Sequence, residues 1–144
     1  ASPIALDDDA AVRSRRVIVV EDGPTLTHGG MPHGAGFIAA TRAGGTIVDP
    51  RPWAAPAIAA LYAQYPHLGP VVPAAGYSPA QIAALRATLE AAPADVVVAA
   101  TPCDLGALLG LTKPVVRARY EFAEAGEPRL SDLVSAFLRA RGLV

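Results

Sequence analysis

Short runs of β-branched and small apolar residues alternate with helical patterns along this chain, and this alternation constrains its fold most. The runs lie at residues 16–20, 46–49, 95–100 and 114–120, with a shorter one inside residues 69–73. Strands that alternate with helices form βαβ crossovers and pack as a parallel sheet covered on both faces. We therefore predict an α/β fold, a Rossmann-like three-layer sandwich with a mostly parallel sheet of about five strands.

The 144 residues suffice for one domain with a real core. We assign residues 16–144 to a single α/β domain. Residues 1–15 carry Asp7, Asp8 and Asp9 and few apolar side chains, which is typical of a linker or lead-in. The chain does not start with Met, so we expect a fragment or a separated domain of a longer protein.

Composition excludes several functional classes. The net charge is −1, which leaves no basic surplus for binding a nucleic-acid backbone. The single cysteine, Cys103, cannot form an internal disulfide, and no Cys/His spacing indicates zinc. No apolar run is long enough to span a membrane, and the N-terminus lacks signal-peptide features. We expect a cytoplasmic protein.

Polar residues collect where the predicted strands end. In an open parallel sheet, ligands bind beyond these carboxyl ends, near the point where the strand order reverses. The strand-end candidates, in chain order, are Glu21, Asp22, Asp49, Arg51, Tyr77, Thr101, Asp104, Arg117 and Arg119.

The segment at residues 21–36, directly after the first strand, is rich in glycine. Its glycines can turn backbone N–H groups toward an anion, and a helix predicted from Gly36 adds its N-terminal dipole. The predicted anion cradle consists of Thr25, Thr27, Gly29, Gly30, Gly34 and Gly36, with Arg51, Arg117 and Arg119 as a charge clamp. The alternative is a long turn whose glycines only serve backbone geometry.

Two histidines and two carboxylates extend this loop's chemistry. His28 is the preferred acid–base or donor candidate, ahead of His33. Glu21 and Asp22 are catalytic candidates and candidate Mg²⁺ ligands. Asp22 could instead start a turn, and Asp104 is better explained as a helix N-cap.

Other side chains at these ends have structural explanations. An acid at the end of a buried strand needs a partner, and Arg51, Arg117 or Arg119 could supply it to Glu21. Arg117 and Arg119 could otherwise pair with Glu121 or Glu124. Cys103 is more typical of a small core residue, and His67 of a structural one.

Nucleotide-binding motifs are absent or incomplete. Lys113 is the only lysine and follows no glycine, so the chain has no P-loop. Residues 34–39 match G-x-G-x-x-A, and Asp49 ends the second strand, as in dinucleotide-binding folds. The first glycine lies 13 residues beyond Glu21 instead of directly after the strand, so dinucleotide binding stays a minor alternative.

The order of these motifs resembles a known family. The segments at residues 19–31, 34–36, 48–52, 65–71 and 76–77, with 101–105 and 114–121, resemble the C-terminal part of predicted bacterial and archaeal GTPases of the cyclic 2,3-diphosphoglycerate synthetase-like family. The resemblance covers nearly the whole chain from Arg16.

This resemblance implies that the chain is the C-terminal domain of a nucleotide-dependent ligase or GTPase. An upstream P-loop domain would bind the nucleotide and act as partner. The leading hypothesis is a domain that binds a phosphorylated or carboxylated small molecule at residues 21–36. The alternative is a non-catalytic docking or regulatory module for the upstream domain. The sequence does not decide whether the chain forms a homo-oligomer.

Overall fold

The computed structural model describes residues 3–143. It contains six strands, which are β1 (Ile4–Leu6), β2 (Arg16–Asp22), β3 (Thr46–Ile47), β4 (Val72–Ala74), β5 (Val96–Ala100) and β6 (Val115–Tyr120). Its α-helices are α1 (Gly23–Thr27), α2 (Ala35–Arg42), α3 (Pro56–Gln64), α4 (Pro79–Ala91), α5 (Leu105–Leu109) and α6 (Leu130–Ala140). None of the helices in this part of the chain is long and apolar enough to span a bilayer.

The strands form one mostly parallel sheet in the order β1-β6-β5-β2-β3. Strand β2 is central: it pairs with β5 along most of its length, and on its other side with β3 at its start and β4 at its end. The chain therefore leaves β2 toward β3 and β4, and then returns to β5 and β6 on the opposite side. The strand order reverses between β2 and β5, which is where ligands bind in open α/β sheets.

Two apolar clusters cover the two faces of the sheet. Alternate residues of β2 point to opposite faces, so Val17 and Val19 join α2 on one face while Ile18 and Val20 meet α3, α4 and α5 on the other. All four side chains are fully buried, as expected for the central strand of a doubly covered sheet. The predicted α/β fold is confirmed.

The predicted helix signals are found in α2 and α4. Ser78 accepts from the Gln81 N–H at 3.4 Å and the Gln81 side chain accepts from the Ser78 N–H at 3.2 Å, which is a complete capping box. After α2, Gly44 adopts φ 85°, the left-handed conformation that ends many helices.

Two local assignments differ from the sequence expectation. Within the predicted lead-in, Ile4–Leu6 forms β1, which pairs antiparallel with β6 at the sheet edge. Within the predicted loop, Gly23–Thr27 forms α1, with Asp22 as its N-cap and Pro24 in its first turn. Both elements are very short, so hydrophobic periodicity could not reveal them.

Candidate functional site

The carboxylate of Glu21 lies buried where β2 ends, with only 2% of the residue exposed. Its Oε1 accepts hydrogen bonds from the N–H groups of Gly34 at 3.1 Å and Phe37 at 2.8 Å, and its Oε2 accepts from Gly36 at 3.3 Å. These donors belong to the first turn of α2 and to Gly34, its N-cap, which has no side chain to cap with. Glu21 therefore caps α2 from a neighbouring strand, and the helix dipole favours its negative charge.

This arrangement corrects the partner expected for Glu21. The partner is the backbone at the start of α2, not an arginine. Burial raises the pKa of Glu21, while the three N–H donors and the nearby His33 oppose that rise. The N–H groups of Gly34 and Gly36 already hold this internal anion, so binding of an external anion to them stays a prediction that requires Glu21 to move.

Close approach explains why glycine stands at position 34. A Cβ there would lie 2.7 Å from Oε2 of Glu21. At position 36, a Cβ would lie 2.8 Å from the Cβ of Ala100 on β5. These two glycines let the start of α2 reach the ends of β2 and β5.

An open cleft of about 230 Å³ lies above the ends of β2 and β5. We call it the strand-end cleft. It is lined by Glu21, Asp22, Thr25, Leu26, Gly34, Ala35, Ala100, Pro102 and Tyr120. It coincides with the reversal of strand order, and it brings together four predicted residues, Glu21, Asp22, Thr25 and Gly34.

A second hollow, the arginine groove, adjoins this cleft and has a volume of about 280 Å³. It shares Ala100, Pro102 and Tyr120 with the cleft and adds Thr101, Arg117, Ala118, Arg119 and Glu121. A ligand spanning both hollows would meet carboxylates at one end and guanidinium groups at the other.

The two arginines of this groove differ in their partners. Arg119 pairs with Asp7, with 2.5 Å between Nε and Oδ1. This partner differs from Glu121 and Glu124, which the sequence offered as the alternative to a role in anion binding. Arg117 makes a long hydrogen bond of 3.5 Å to the carbonyl of Pro102. Arg117 is therefore the arginine more available to a ligand.

His28 follows α1 and is exposed to solvent. Its Nδ1 lies 3.1 Å from Thr27 Oγ1, and this hydroxyl donates its hydrogen to the Gly23 carbonyl at 2.9 Å. The hydroxyl must therefore accept from Nδ1–H, which leaves Nε2 as the unprotonated nitrogen of the neutral ring. His28 lies three residues beyond Thr25 and does not line the strand-end cleft, and its Nε2 is available to accept a hydrogen bond.

Tyr77, after β4, was predicted at a strand end and meets two other strand-end residues. The Cys103 thiol, burial and the Asp22 carboxylate raise the pKa of Tyr77 to about 12. The phenol therefore stays protonated and can donate at neutral pH. Cys103 is half-buried at this edge, not enclosed in the core.

Other predicted residues serve the structure locally. Asp49 and Arg51 form an ion pair of 2.8 Å, and Arg51 also donates to the carbonyl of Leu68 at 2.6 Å. Asp104 caps α5 through the Ala107 N–H, as its sequence context predicted. His67 contacts the carbonyl of Leu26 at 2.9 Å, in keeping with a structural role. None of these residues lines the strand-end cleft.

The glycines at the loop tip also stand apart from the cleft. Gly29 and Gly30 are exposed, and Gly30 adopts φ 65°. His33 stacks on Phe37 with 4.3 Å between ring centroids, and its Nδ1 is buried without a hydrogen-bond partner in the described part of the chain.

Sequence reasoning missed several lining residues. Ala35, Ala100 and Pro102 are small and carry no chemical signal. Tyr120 offered one, because an aromatic residue at the exposed end of β6 stands next to the two predicted arginines. Among residues 3–143, no group of three or more His, Cys, Asp or Glu side chains is placed to hold a metal ion.

The chain is 47% identical over 140 residues to arginine synthetase ArcE of Thermococcus kodakarensis. It resembles part of a larger synthetase. The match covers 96% of this chain, which spans only 31% of that relative's length. No protein-family model matches the chain. No solved structure matches it either.

Proposed function

We propose that this chain is the C-terminal domain of a larger ligase-type synthetase, and that it binds a carboxylated or phosphorylated small molecule at the strand-end cleft. The identity to arginine synthetase supports the first part. The second part rests on one observation: the cleft lies where the strand order reverses, with Glu21 and Asp22 on one side and the arginine groove on the other.

The chemistry of the two hollows fits a ligand that carries both charges. Asp22 uses Oδ2 for Thr25, with 2.8 Å to the hydroxyl. Within residues 3–143 its Oδ1 makes no hydrogen bond, so it can accept from a cationic group. Arg117 can donate to a carboxylate or phosphate. Arginine, the compound in the relative's name, has a guanidinium and a carboxylate and is therefore the first ligand to test.

Residues of the cleft, with Tyr77 and the loop at residues 21–36, would bind and orient this ligand. The Thr25 hydroxyl gives its hydrogen to Asp22 and would therefore accept a hydrogen bond. Tyr77 would donate one, and His28 would accept or transfer a proton through Nε2, to a part of the ligand that extends beyond the lining of the cleft. Thr27 would hold the His28 ring in that tautomer. Reorganisation of Glu21 would free Gly34 and Gly36 for an anion, and Gly29 and Gly30 would let the loop tip adapt.

Nucleotide and metal binding belong to the wider proposal. We assign the nucleotide to an upstream P-loop GTPase-like domain, as the family resemblance implies, and not to this chain. Only Glu21 and Asp22 could contact Mg²⁺ in the cleft, and two carboxylates suit Mg²⁺ when a substrate phosphate completes its coordination. Magnesium bound to the cleft without a phosphorylated ligand is not expected.

Calorimetric titration tests the proposal, with arginine and inorganic phosphate as separate ligands. We expect binding of at least one of them, weakened by Asp22→Asn for arginine and by Arg117→Gln for either ligand. His28→Ala tests the loop's contribution. Arg86→Gln, which removes an exposed arginine on α4, is the matched control and should leave affinity unchanged. Absence of heat with both ligands, or equal loss in the control, contradicts the proposal.

A docking module for the upstream domain is the second candidate. The loop tip at residues 28–32 is exposed throughout, so it could contact that domain. Capture of a separately expressed upstream domain, together with no binding of either small molecule, would favour this function. Dinucleotide binding is less well supported, because Glu21 occupies the α2 N-terminus that would receive the pyrophosphate.

A further inference from the structure

Tyr120 forms one wall of the strand-end cleft, and 63% of the residue is exposed. It is the last residue of β6. Ala118 belongs to the apolar cluster on the α2 face of the sheet, so Tyr120, two positions further along the strand, points to that same face. Among the described residues that line the cleft, Tyr120 is the only aromatic one. A ligand in the cleft would therefore meet a flat ring at this wall.

A gap separates this ring from the carboxyl groups on the opposite wall. The order β6-β5-β2 places one strand between Tyr120 and Glu21, which corresponds to about 10 Å between the two outer strands. The residue of β5 that pairs with Glu21 is Ala100, whose small side chain leaves the space between the walls open. A gap of this width can hold one planar group between the ring and the carboxyl groups.

The chemistry of the cleft favours a cation. Apart from the Tyr120 phenol, the titratable groups that line it are the carboxyl groups of Glu21 and Asp22, and no arginine, lysine or histidine of residues 3–143 lines it. Asp22 also keeps Oδ1 free of hydrogen bonds within this part of the chain. The face of an aromatic ring attracts cations, so the ring and the carboxylates act in the same direction.

The arginine groove supplies the opposite charge on the other side of the sheet edge. Arg117 is three positions before Tyr120, so it points to the opposite face, and its Nη2 lies 3.5 Å from the carbonyl oxygen of Pro102. Glu121 also lines this groove, where it interacts electrostatically with Arg119. Since Pro102 lines both hollows, a ligand that crosses it would place its cationic end in the cleft and its anionic end at Arg117.

We propose that Tyr120 is a specificity-determining residue, which selects a guanidinium group by stacking on it while the anionic end of the same ligand binds Arg117. This inference rests on the proposed function, because it concerns the same site. A guanidinium is planar and weakly hydrated, whereas an ammonium is compact and strongly hydrated, so the guanidinium gains more from an aromatic face. Tyr120 therefore discriminates between two cations that the carboxylates alone would accept.

Calorimetric titration with four probes tests this role: arginine, lysine, inorganic phosphate, and agmatine, which is arginine without its carboxylate. Tyr120→Leu should weaken the binding of arginine and agmatine about fivefold. It should weaken lysine by about twofold or less and leave phosphate unchanged. Arg117→Gln should give the complementary pattern, with weaker binding of arginine and phosphate and unchanged binding of agmatine.

Two further variants serve as controls. Tyr120→Phe keeps the ring and should keep the affinity for arginine. Phe122→Leu removes an exposed aromatic residue that lines neither hollow, and it should leave the affinity for every probe unchanged. Circular dichroism of each variant checks that the fold is retained.

The outcomes separate this inference from the proposed function. If arginine binds and Tyr120→Leu leaves its affinity unchanged, or weakens lysine or phosphate equally, the role of Tyr120 is overturned and the site itself stands. Loss of agmatine binding in Arg117→Gln overturns the orientation. Binding of phosphate without binding of arginine overturns the inference and retains an anion site. Absence of heat with both arginine and phosphate overturns the proposed function together with the inference.

Discussion

Replacing Glu21 by alanine would leave three hydrogen-bond donors at the start of α2 without their acceptor. Gly34 and Gly36 are buried and Phe37 is half-buried, so water can replace the carboxylate only in part. A buried donor left unpaired costs about 1–3 kcal/mol. Relief of the cost of burying the charge and entry of water through the cleft offset some of this. We expect Glu21→Ala to lower the free energy of unfolding by about 2–4 kcal/mol.

Glu21→Gln is the matched variant. Its amide oxygen can replace Oε1 and keep the bonds from Gly34 and Phe37, while its NH₂ group meets the Gly36 N–H across the longest of the three contacts. We expect Glu21→Gln to lower the free energy of unfolding by less than half as much as Glu21→Ala does. Urea unfolding followed by circular dichroism measures both values. If Glu21→Ala is within about 0.5 kcal/mol of the unchanged chain, the assignment of Glu21 as the cap of α2 is refuted.

The same carboxylate predicts a pH dependence of known sign. Burial raises the pKa of Glu21 above its ordinary value of 4.5, so the folded state binds this proton more readily than the unfolded state. Its contribution to stability is complete below the ordinary value and declines as pH rises through the folded pKa. Relative to Glu21→Gln, the unchanged chain should therefore gain stability as pH falls from 7 toward 4.5. A gain in the opposite direction contradicts the burial argument.

A double-mutant cycle isolates the contact behind position 34. In Gly34→Ala the new Cβ would lie 2.7 Å from Oε2 of Glu21, so we expect a loss of about 1–3 kcal/mol. In the Glu21→Ala background the obstructing oxygen is gone, and the same substitution should cost much less. Equal losses in both backgrounds would show that Gly34 is required for another reason.

Three further predictions concern the scaffold. Lys113→Met should cost about 1–3 kcal/mol in urea unfolding, because Nζ donates to carbonyls at the end of α4 at distances that include 2.6 and 3.0 Å; an unchanged midpoint would contradict this. Ser78→Ala should lower the free energy of unfolding by about 1 kcal/mol, because it removes the capping box. Gln81→Ala, which removes the other half of the box, tests the same contact. Hydrogen bonding to Arg16 lowers the pKa of Asp95 to about 2 from 3.8, so its contribution is present above 3.8 and lost as pH falls toward 2. In Asp95→Asn the free energy of unfolding should therefore fall less steeply as pH drops from 3.8 toward 2. An unchanged slope would show that the Arg16–Asp95 pair does not cause the loss of stability in acid.

The sequence predicted the sheet because β-branched runs and caps are local signals. Ser78 began α4 as its sequence context required, and the runs at β2, β5 and β6 were long enough to recognise. Strand β1 was missed because three residues become a strand only by pairing with β6, more than a hundred positions away. Helix α1 was missed because its cap, Asp22, and its Pro24 stand in a segment whose glycines suggested a loop.

The sequence predicted that polar residues gather at the ends of the strands, but it did not predict which groups there hydrogen-bond to each other. Glu21 was recognised as an acid that needs a partner, and the glycine-rich segment as a source of N–H donors. The structure shows that each satisfies the other, at separations of 13 to 16 residues along the chain. No local pattern encodes how the loop closes, so the sequence could not distinguish a bound external anion from an internal one.

Titration of the ¹⁵N-labelled chain with arginine and with phosphate, followed by amide chemical shifts, tests the central proposal most directly. The proposal predicts saturable shifts for amides that line the strand-end cleft, such as those of Asp22, Thr25, Ala35 and Tyr120, and smaller changes in the Asp22→Asn and Arg117→Gln variants. No shifts with either ligand, or shifts confined to surfaces away from the ends of β2 and β5, would contradict a small-molecule site at this cleft.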